Sequence, residues 1–305
     1  MTVFIKATHA SKTIRKKPII KDLSLEIKKG GIHAIVGQRL SGKTAVLKLL
    51  TGLWLPDRGE ITLFDQQGTV TPRDQSVHIG AFIDQPVLYD RLSASENLYL
   101  FSQYFGYYDI KSVEKGLTDV GLRDDALSKT STFSFSMKKR LAIARALFLQ
   151  PPFVVLDDPF TGLDLAEQHH IRQLLIELNT YQHTTILLST PDVSEVEDFA
   201  HTITLLRDGR TLETMSTLEL KHRLSSFIHL NVDHAAKATF ILENNLNITD
   251  FQVMDLQTIR IYDTSHPVYV IVQEIVKGGI QMNEVYHKQL DLEAYMAGTS
   301  RREPR

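Results

Sequence analysis

The chain has 305 residues, 43% of them hydrophobic, and a formal net charge of −2. That is enough apolar material for one large buried core and a smaller second one, while the charge balance excludes a strongly basic nucleic-acid footprint over the whole chain. There is no cysteine, which excludes disulfide frameworks and thiolate metal sites and is compatible with a reducing compartment; no apolar run reaches the ~18 residues of a membrane span, and residues 1–20 lack the apolar core of a signal peptide.

In chain order, Thr2-Val3-Phe4-Ile5 and Leu23-Ser24-Leu25-Glu26-Ile27 read as strands. Between them the basic segment 12–17 reads as a loop with a solvated face, and Lys29-Gly30-Gly31 reads as a turn. Antiparallel strands are therefore expected to lead into a short apolar strand, Gly31-Ile32-His33-Ala34-Ile35-Val36. Next come Gly37-Gln38-Arg39-Leu40-Ser41-Gly42-Lys43-Thr44 and the start of a helix at Ala45-Val46-Leu47. The octapeptide satisfies GxxxxGK[ST] in the strand–turn–helix setting that the pattern requires. From Gly37 to Ala45, successive backbone N–H groups and the helix N-terminus then converge on one spot, which favours an anion. Lys43 is expected to reach the β/γ-phosphates of a nucleotide and Thr44 to hold Mg2+ through its hydroxyl.

Gly52-Leu53-Trp54-Leu55-Pro56-Asp57-Arg58-Gly59 is rich in breakers, and Glu60-Ile61-Thr62-Leu63-Phe64 reads as another strand. A strand and turn come after it at Ile79-Gly80-Ala81-Phe82-Ile83-Asp84-Gln85-Pro86. From about residue 93 to 150 the periodicity is helical, with Ser93 and Glu96 spaced as a capping box. Its aromatics, Tyr99, Phe101, Tyr104, Phe105, Tyr107 and Tyr108, either fill a helical core or dock a partner. Phe153-Val154-Val155-Leu156-Asp157-Asp158 is a buried-type strand ending in paired carboxylates. Acids at the carboxyl end of such a strand lie where a doubly wound sheet places ligand chemistry; Asp157 is expected behind the magnesium ion and Asp158 near the terminal phosphate, the alternative being two aspartates that cap the next element. Thr184-Thr185-Ile186-Leu187-Leu188-Ser189 is a further core strand, so a parallel sheet is expected.

Near residue 218 the character changes. Strand-like residues 227–232, a helix at 235–243, strands at 251–254 and 258–262, a helix at 267–276 and a strand at 280–285 spell β-α-β-β-α-β, the ferredoxin-like order. Leu292-Glu293-Ala294-Tyr295-Met296 reads as a closing helix and residues 301–305 as a frayed tail.

This series resembles the ATP-binding subunit of an ABC transporter over about residues 1–215. Gln85 looks like the Q-loop glutamine, Met137-Lys138-Lys139-Arg140 opens a segment like the helix after the signature motif, Asp157 matches Walker B, and Thr161-Gly162-Leu163-Asp164 matches the D-loop. The C-terminal domain resembles that of bacterial exporters of the drug, bacitracin and lantibiotic-resistance type. The resemblance implies a P-loop fold of ABC ATPase type (residues 1–218, mixed sheet, antiparallel β subdomain, helical insertion) plus a small α+β domain (residues 219–305). It also implies Mg-ATP, with Gln85 joining Thr44 and Asp157 at the metal, Asp158 and Gln85 serving catalysis, and Ser134 and Ser136 of the signature loop facing the ATP of a second subunit. The implied partners are a transmembrane permease and another ATP-binding subunit, as homodimer or heterodimer; neither nucleic-acid binding nor direct membrane insertion is expected. The implied place is cytoplasmic, on the inner face of the membrane through the permease.

The departures bear on mechanism. The signature loop, Leu-Ser-Gly-Gly-Gln in the family, is Phe133-Ser134-Phe135-Ser136-Met137 here, and Phe135 is expected to put a benzyl group where glycine lets backbone approach phosphate. Asp158 stands in place of the catalytic glutamate, one methylene shorter, and Pro191 in place of the switch histidine, with neither imidazole nor N–H. Leu40 replaces a phosphate-loop glycine, and the adenine-stacking aromatic falls near Ile14. Slow hydrolysis is therefore expected; the alternatives are a non-hydrolysing partner of a catalytically complete subunit, and a P-loop enzyme without a transport role.

Overall fold

The computed structural model describes residues 2–65, 68–70, 79–106, 109–224, 227–263 and 266–288. Tyr107, Tyr108 and the closing helix expected at 292–296 lie outside these residues. The chain divides into two compact units, Met1–Thr217 and Leu218–Arg305.

The first unit opens with a long antiparallel hairpin, β1 (Val3–Ile14) and β2 (Lys17–Lys28). The basic segment 12–17 is therefore no loop. Lys12 pairs with Ile20 and Ile14 with Lys17, leaving a two-residue turn of Arg15 and Lys16 at φ 48° and 66°. Successive left-handed residues form the tight turn whose twist matches a hairpin. Periodicity missed it because Lys12 is not free: its Nζ and the Thr13 N–H both donate to the Asp57 carboxylate at 2.7 Å.

After the hairpin come β3 (Ile32–Val36), α1 (Lys43–Leu50), β4 (Arg58–Asp65), β5 (Gly68–Val70), β6 (Ile79–Phe82), α2 (Ala94–Tyr104), α3 (Ile110–Asp119), α4 (Phe135–Leu147), β7 (Phe153–Asp157), α5 (Leu165–Gln182), β8 (Thr185–Thr190), β9 (Thr202–Arg207) and β10 (Arg210–Ser216). Two sheets result. One is antiparallel in the order β2-β1-β4-β5; the other runs β10-β9-β3-β8-β7-β6, parallel except for the β10–β9 pair. Strands β3, β7 and β8 are buried at every position, as central parallel strands covered on both faces must be. Their near-continuous apolar content is the sequence signal of that burial.

Helix α1 buries Val46, Leu47, Leu49 and Leu50 in a core shared with Ile5, Leu23 and Ile27 of the hairpin and Val155 and Leu187 of the parallel sheet. That core locks the segment after β3 between the two sheets. Helix α2 begins as expected: Ser93 accepts from the Glu96 N–H, and the Glu96 carboxylate accepts from the Ser93 N–H. Asp164 and Glu167 form the same reciprocal cap on α5.

The second unit contains α6 (Thr217–Leu224) except for its first residue, then β11 (Phe227–Val232), α7 (Ala235–Leu246), β12 (Phe251–Val253), β13 (Thr258–Ile261), α8 (Val268–Lys277) and β14 (Met282–Lys288). Its sheet is ordered β12-β13-β11-β14 with antiparallel neighbours throughout. In terms of the unit's own four strands that is 2-3-1-4, the ferredoxin-like arrangement. Alternate residues Ile228, Leu230 and Val232 turn to the helices, where they meet Ala238, Leu242, Ile271 and Ile275.

Candidate nucleotide-binding site

The parallel register assembles the site. Val36 lies opposite Thr190, and Asp157 opposite Ser189, so β3, β8 and β7 end side by side and release the segments beginning at Gly37, Pro191 and Asp158 at one edge. A crevice outside the carboxyl ends of such strands is where an open α/β sheet binds ligands.

The phosphate loop is held from below. Gly37 N–H donates to the Thr190 carbonyl at 3.3 Å and Gly209 N–H to the Ser41 carbonyl at 2.8 Å. A Cβ on Gly37 would stand 2.2 Å from the Leu206 carbonyl oxygen and 2.8 Å from Ser41 Oγ, so only glycine fits. Gly42, at φ 104°, caps α1 without a side chain, leaving the helix's first N–H groups open for an anion. Gln38, Arg39 and Leu40 are exposed, whereas Ser41 and Ala45 are buried. Leu40 takes the left-handed conformation, φ 67°, that its glycine counterpart would adopt without a Cβ.

Two lysine bonds close the cradle: Lys43 Nζ donates to the carbonyls of Gly37 at 2.5 Å and Gln38 at 2.9 Å. Burial pushes this ammonium below its ordinary pKa, while the charges of Asp158 and Asp157 oppose that shift. Thr44 Oγ1 donates to Asp157 Oδ2 at 2.7 Å, which joins the loop to the end of β7. Asp157 also accepts from Ser189 Oγ at 2.5 Å and from the Asp84 N–H at 3.3 Å. Asp158 sits at φ 50°, and its N–H donates to the Ser189 carbonyl at 3.0 Å. Its Oδ1 is buried with no hydrogen-bond partner, as is Ser41 Oγ. Buried polar atoms left open beside a glycine cradle and an ammonium fit a bound polyphosphate with its cation.

Other expected residues stand differently. Gln85 is exposed; its neighbour Asp84 reaches Asp157, by its backbone, and pairs through its carboxylate with Lys48. Ser134 caps α4, accepting from the Met137 N–H at 3.2 Å. Ser136 donates to Glu167 Oε1 at 2.8 Å, and Arg140 pairs with the same carboxylate at 3.1 Å. The Phe135 ring turns back onto its own chain, over Gly162, because the α4 N-terminus and the Thr161–Gly162 turn are neighbours. Pro191 leaves polar duties to Thr190, whose hydroxyl accepts from the Asp192 N–H at 3.0 Å and bonds the Glu195 carboxylate. Burial raises the Glu195 pKa above the ordinary carboxylate value. Of the helical aromatics, Tyr104 and Phe105 are exposed and Tyr99 and Phe101 partly buried.

Sequence reading passed over Lys139, which is 4% exposed and donates to the Asp158 carbonyl at 2.7 Å and to the Thr161 carbonyl. A signal was available: Lys139 shares the buried face of α4 with Ala142, Ile143 and Ala146, at helical spacing.

The sequence pattern of the family described as "ABC transporter" matches residues 20–161. The chain is 34% identical to the uncharacterized ABC transporter ATP-binding protein YcbN of Bacillus subtilis (strain 168), over 97% of this chain and 96% of that protein. It is 31% identical to the bacitracin transport ATP-binding protein BcrA of Enterococcus faecalis, with the same two coverages, 97% and 96%. Among solved structures, the dimeric ATP-binding cassette MJ0796 in a post-hydrolysis state with ADP and Pi superposes with a TM-score of 0.63 and 27% identity, over 70% of this chain and 98% of that one. Phosphate loop, aspartate pair and relatives along nearly its whole length agree, and the chain belongs to the ATP-binding subunits of ABC transporters, an ATPase family.

Proposed function

We propose that this subunit binds Mg-ATP and hydrolyses it slowly, to drive export of a bacitracin- or lantibiotic-like peptide through a separate permease. The observation that carries the site is the Thr44–Asp157 bond at 2.7 Å, flanked by the unpaired Ser41 Oγ and Asp158 Oδ1. The N–H groups from Gly37 to Ala45 and the Lys43 ammonium would take the phosphates, and Thr44, Asp157 and Gln85 the magnesium ion. That ion supplies positive charge to the phosphate oxygens when bound. Asp158 is the residue assigned to the attacking water, and Ser134 and Ser136 are assigned to the nucleotide of a second subunit, homologous or identical. The relative named for bacitracin transport supports the substrate class.

Residues 1–218 act in this reading as the nucleotide-binding domain and 219–305 as an accessory domain, and the chain works from the cytoplasmic face of its permease. Among the described residues no helix is long and apolar enough to cross a membrane. Exposed Val87, Tyr89, Tyr104 and Phe105 supply apolar surface for contact with the permease.

The test is equilibrium Mg-ATP binding beside steady-state hydrolysis, with Lys43→Ala as control. The expected result is wild-type binding that the control loses by about a hundredfold or more, the worth of strong charge-assisted hydrogen bonds. No binding by the wild type would sink the reading. Tight binding with turnover at the control level would assign the chain to the non-hydrolysing role instead.

A further inference from the structure

Lys139 carries chemistry that the proposed site does not use. The residue is only 4% exposed, and its ammonium hydrogen-bonds to the carbonyls of Asp158 and Thr161. The Phe135 ring lies 5.4 Å from Nζ and closes over Gly162, where an added Cβ would meet ring carbons at 3.0 Å. A lysine ammonium has three donors; two go to carbonyls and the aromatic ring occupies its flank, an arrangement worth more without water. Burial pushes the Lys139 pKa down, and the charges of Asp158, Glu195 and Asp157 hold it up.

The clamp acts on a strained backbone. Asp158 sits at φ 50°, which costs an L-residue about 1–2 kcal/mol and persists only where surrounding bonds over-determine it. Those bonds come from both sides: its N–H is held by the Ser189 carbonyl at 3.0 Å and Ser189 Oγ at 3.2 Å, and its carbonyl by Lys139 at 2.7 Å. Its Oδ1 stays unpaired. Main-chain bonds thus aim a side chain left open for something else.

We propose that Lys139 is a positioning residue whose buried ammonium, sealed beneath Phe135, pins the carbonyls of Asp158 and Thr161 and so sets where the Asp158 carboxylate and the loop 161–164 meet nucleotide. This rests on the reading of Asp158 given above. Phe135 then has a role within its own chain: it keeps the clamp dry, and it ties the signature loop to the segment that carries Asp158.

The experiment compares wild type, Lys139→Met and Lys139→Gln in the full chain. Its readouts are equilibrium Mg-ATP binding, steady-state turnover and amide hydrogen exchange over residues 158–164. Methionine keeps the stem as far as Cε and removes the donors; glutamine, of the same length as methionine, keeps two N–H donors without charge, one bond short of Nζ. The expected result is Mg-ATP affinity within twofold in all three, a kcat at least tenfold lower in Lys139→Met, and recovery to within threefold of wild type in Lys139→Gln. Exchange at 158–164 should quicken with methionine and slow again with glutamine. Turnover within twofold of wild type and unchanged exchange in Lys139→Met would overturn the proposal. So would a loss of turnover in Lys139→Met with exchange over 158–164 unchanged, since the lysine would then not act by holding that backbone. Failure of wild-type Mg-ATP binding would sink the nucleotide reading separately, and exchange in the nucleotide-free chain would still test the clamp.

Discussion

Leu40 shows how a single residue can hold a backbone shape against its own preference. It is fully exposed, so its side chain contributes no packing, yet its φ of 67° is left-handed. Leu40→Gly should therefore stabilise the fold by about 0.5–1 kcal/mol, the strain relieved less the greater freedom of glycine in the unfolded chain; urea denaturation reads it, and a destabilised variant would contradict it. Asp158 and Pro191 set a second expectation. Restoring the longer carboxylate and an imidazole through Asp158→Glu with Pro191→His should raise kcat at least about tenfold, within the usual range of general base catalysis. Steady-state kinetics checks this, and no gain would place the limit at the signature loop around Phe135.

Among elements, β3 contains an ionisable group that couples the sheet to pH. His33 is buried at 3% exposure, its Nε2 sharing a 2.8 Å hydrogen bond with Thr204 Oγ1, and burial pushes its pKa down from 6.5 to about 4. Between those values the unfolded chain binds a proton there and the folded chain does not, so folding stability rises with pH in that window. The contribution is fully present above pH 6.5 and lost as pH falls toward 4, by up to roughly 3 kcal/mol at 1.36 kcal/mol per pH unit. His33→Gln should flatten that part of the curve in denaturation series at several pH values; an unchanged slope would mean that other groups carry it. At the same scale, α4 explains why its first turn is unlike the family's: Ser134 caps it, Ser136 binds Glu167 and Phe135 folds over Gly162, so the loop is tied within its own chain.

At the scale of the whole molecule, the relatives include a dimeric cassette, and the nucleotide reading needs two chains, because the residues assigned to one ATP are split between the phosphate loop and a partner's signature loop. Hydrolysis should accordingly rise more steeply than linearly with protein concentration, and specific activity that is flat over a hundredfold range would count against an assembling site. An apparent Mg-ATP affinity that tightens with concentration would agree, since ligand and association are then linked.

The sequence by itself determined most of the frame. The GxxxxGK[ST] spacing, the Ser93–Glu96 cap and the apolar strand ending in Asp157 and Asp158 are local patterns, and local patterns survive folding because propensity, capping and side-chain period act over a few residues. The β-α-β-β-α-β series was legible for the same reason. What tertiary structure decided was non-local. Only the register of β3, β8 and β7 brings Thr44 to Asp157 and Ser189 to both aspartates. The basic segment 12–17 became hairpin by pairing with β2 around the Arg15–Lys16 turn, with Asp57, distant in sequence, taking Lys12 and the Thr13 N–H. Phe135, half exposed, lays its ring against Gly162 of its own chain, and Lys139 was buried because the carbonyls of Asp158 and Thr161 lie beside α4; a buried ammonium is tolerated only where such partners replace water, and no linear spacing announces them.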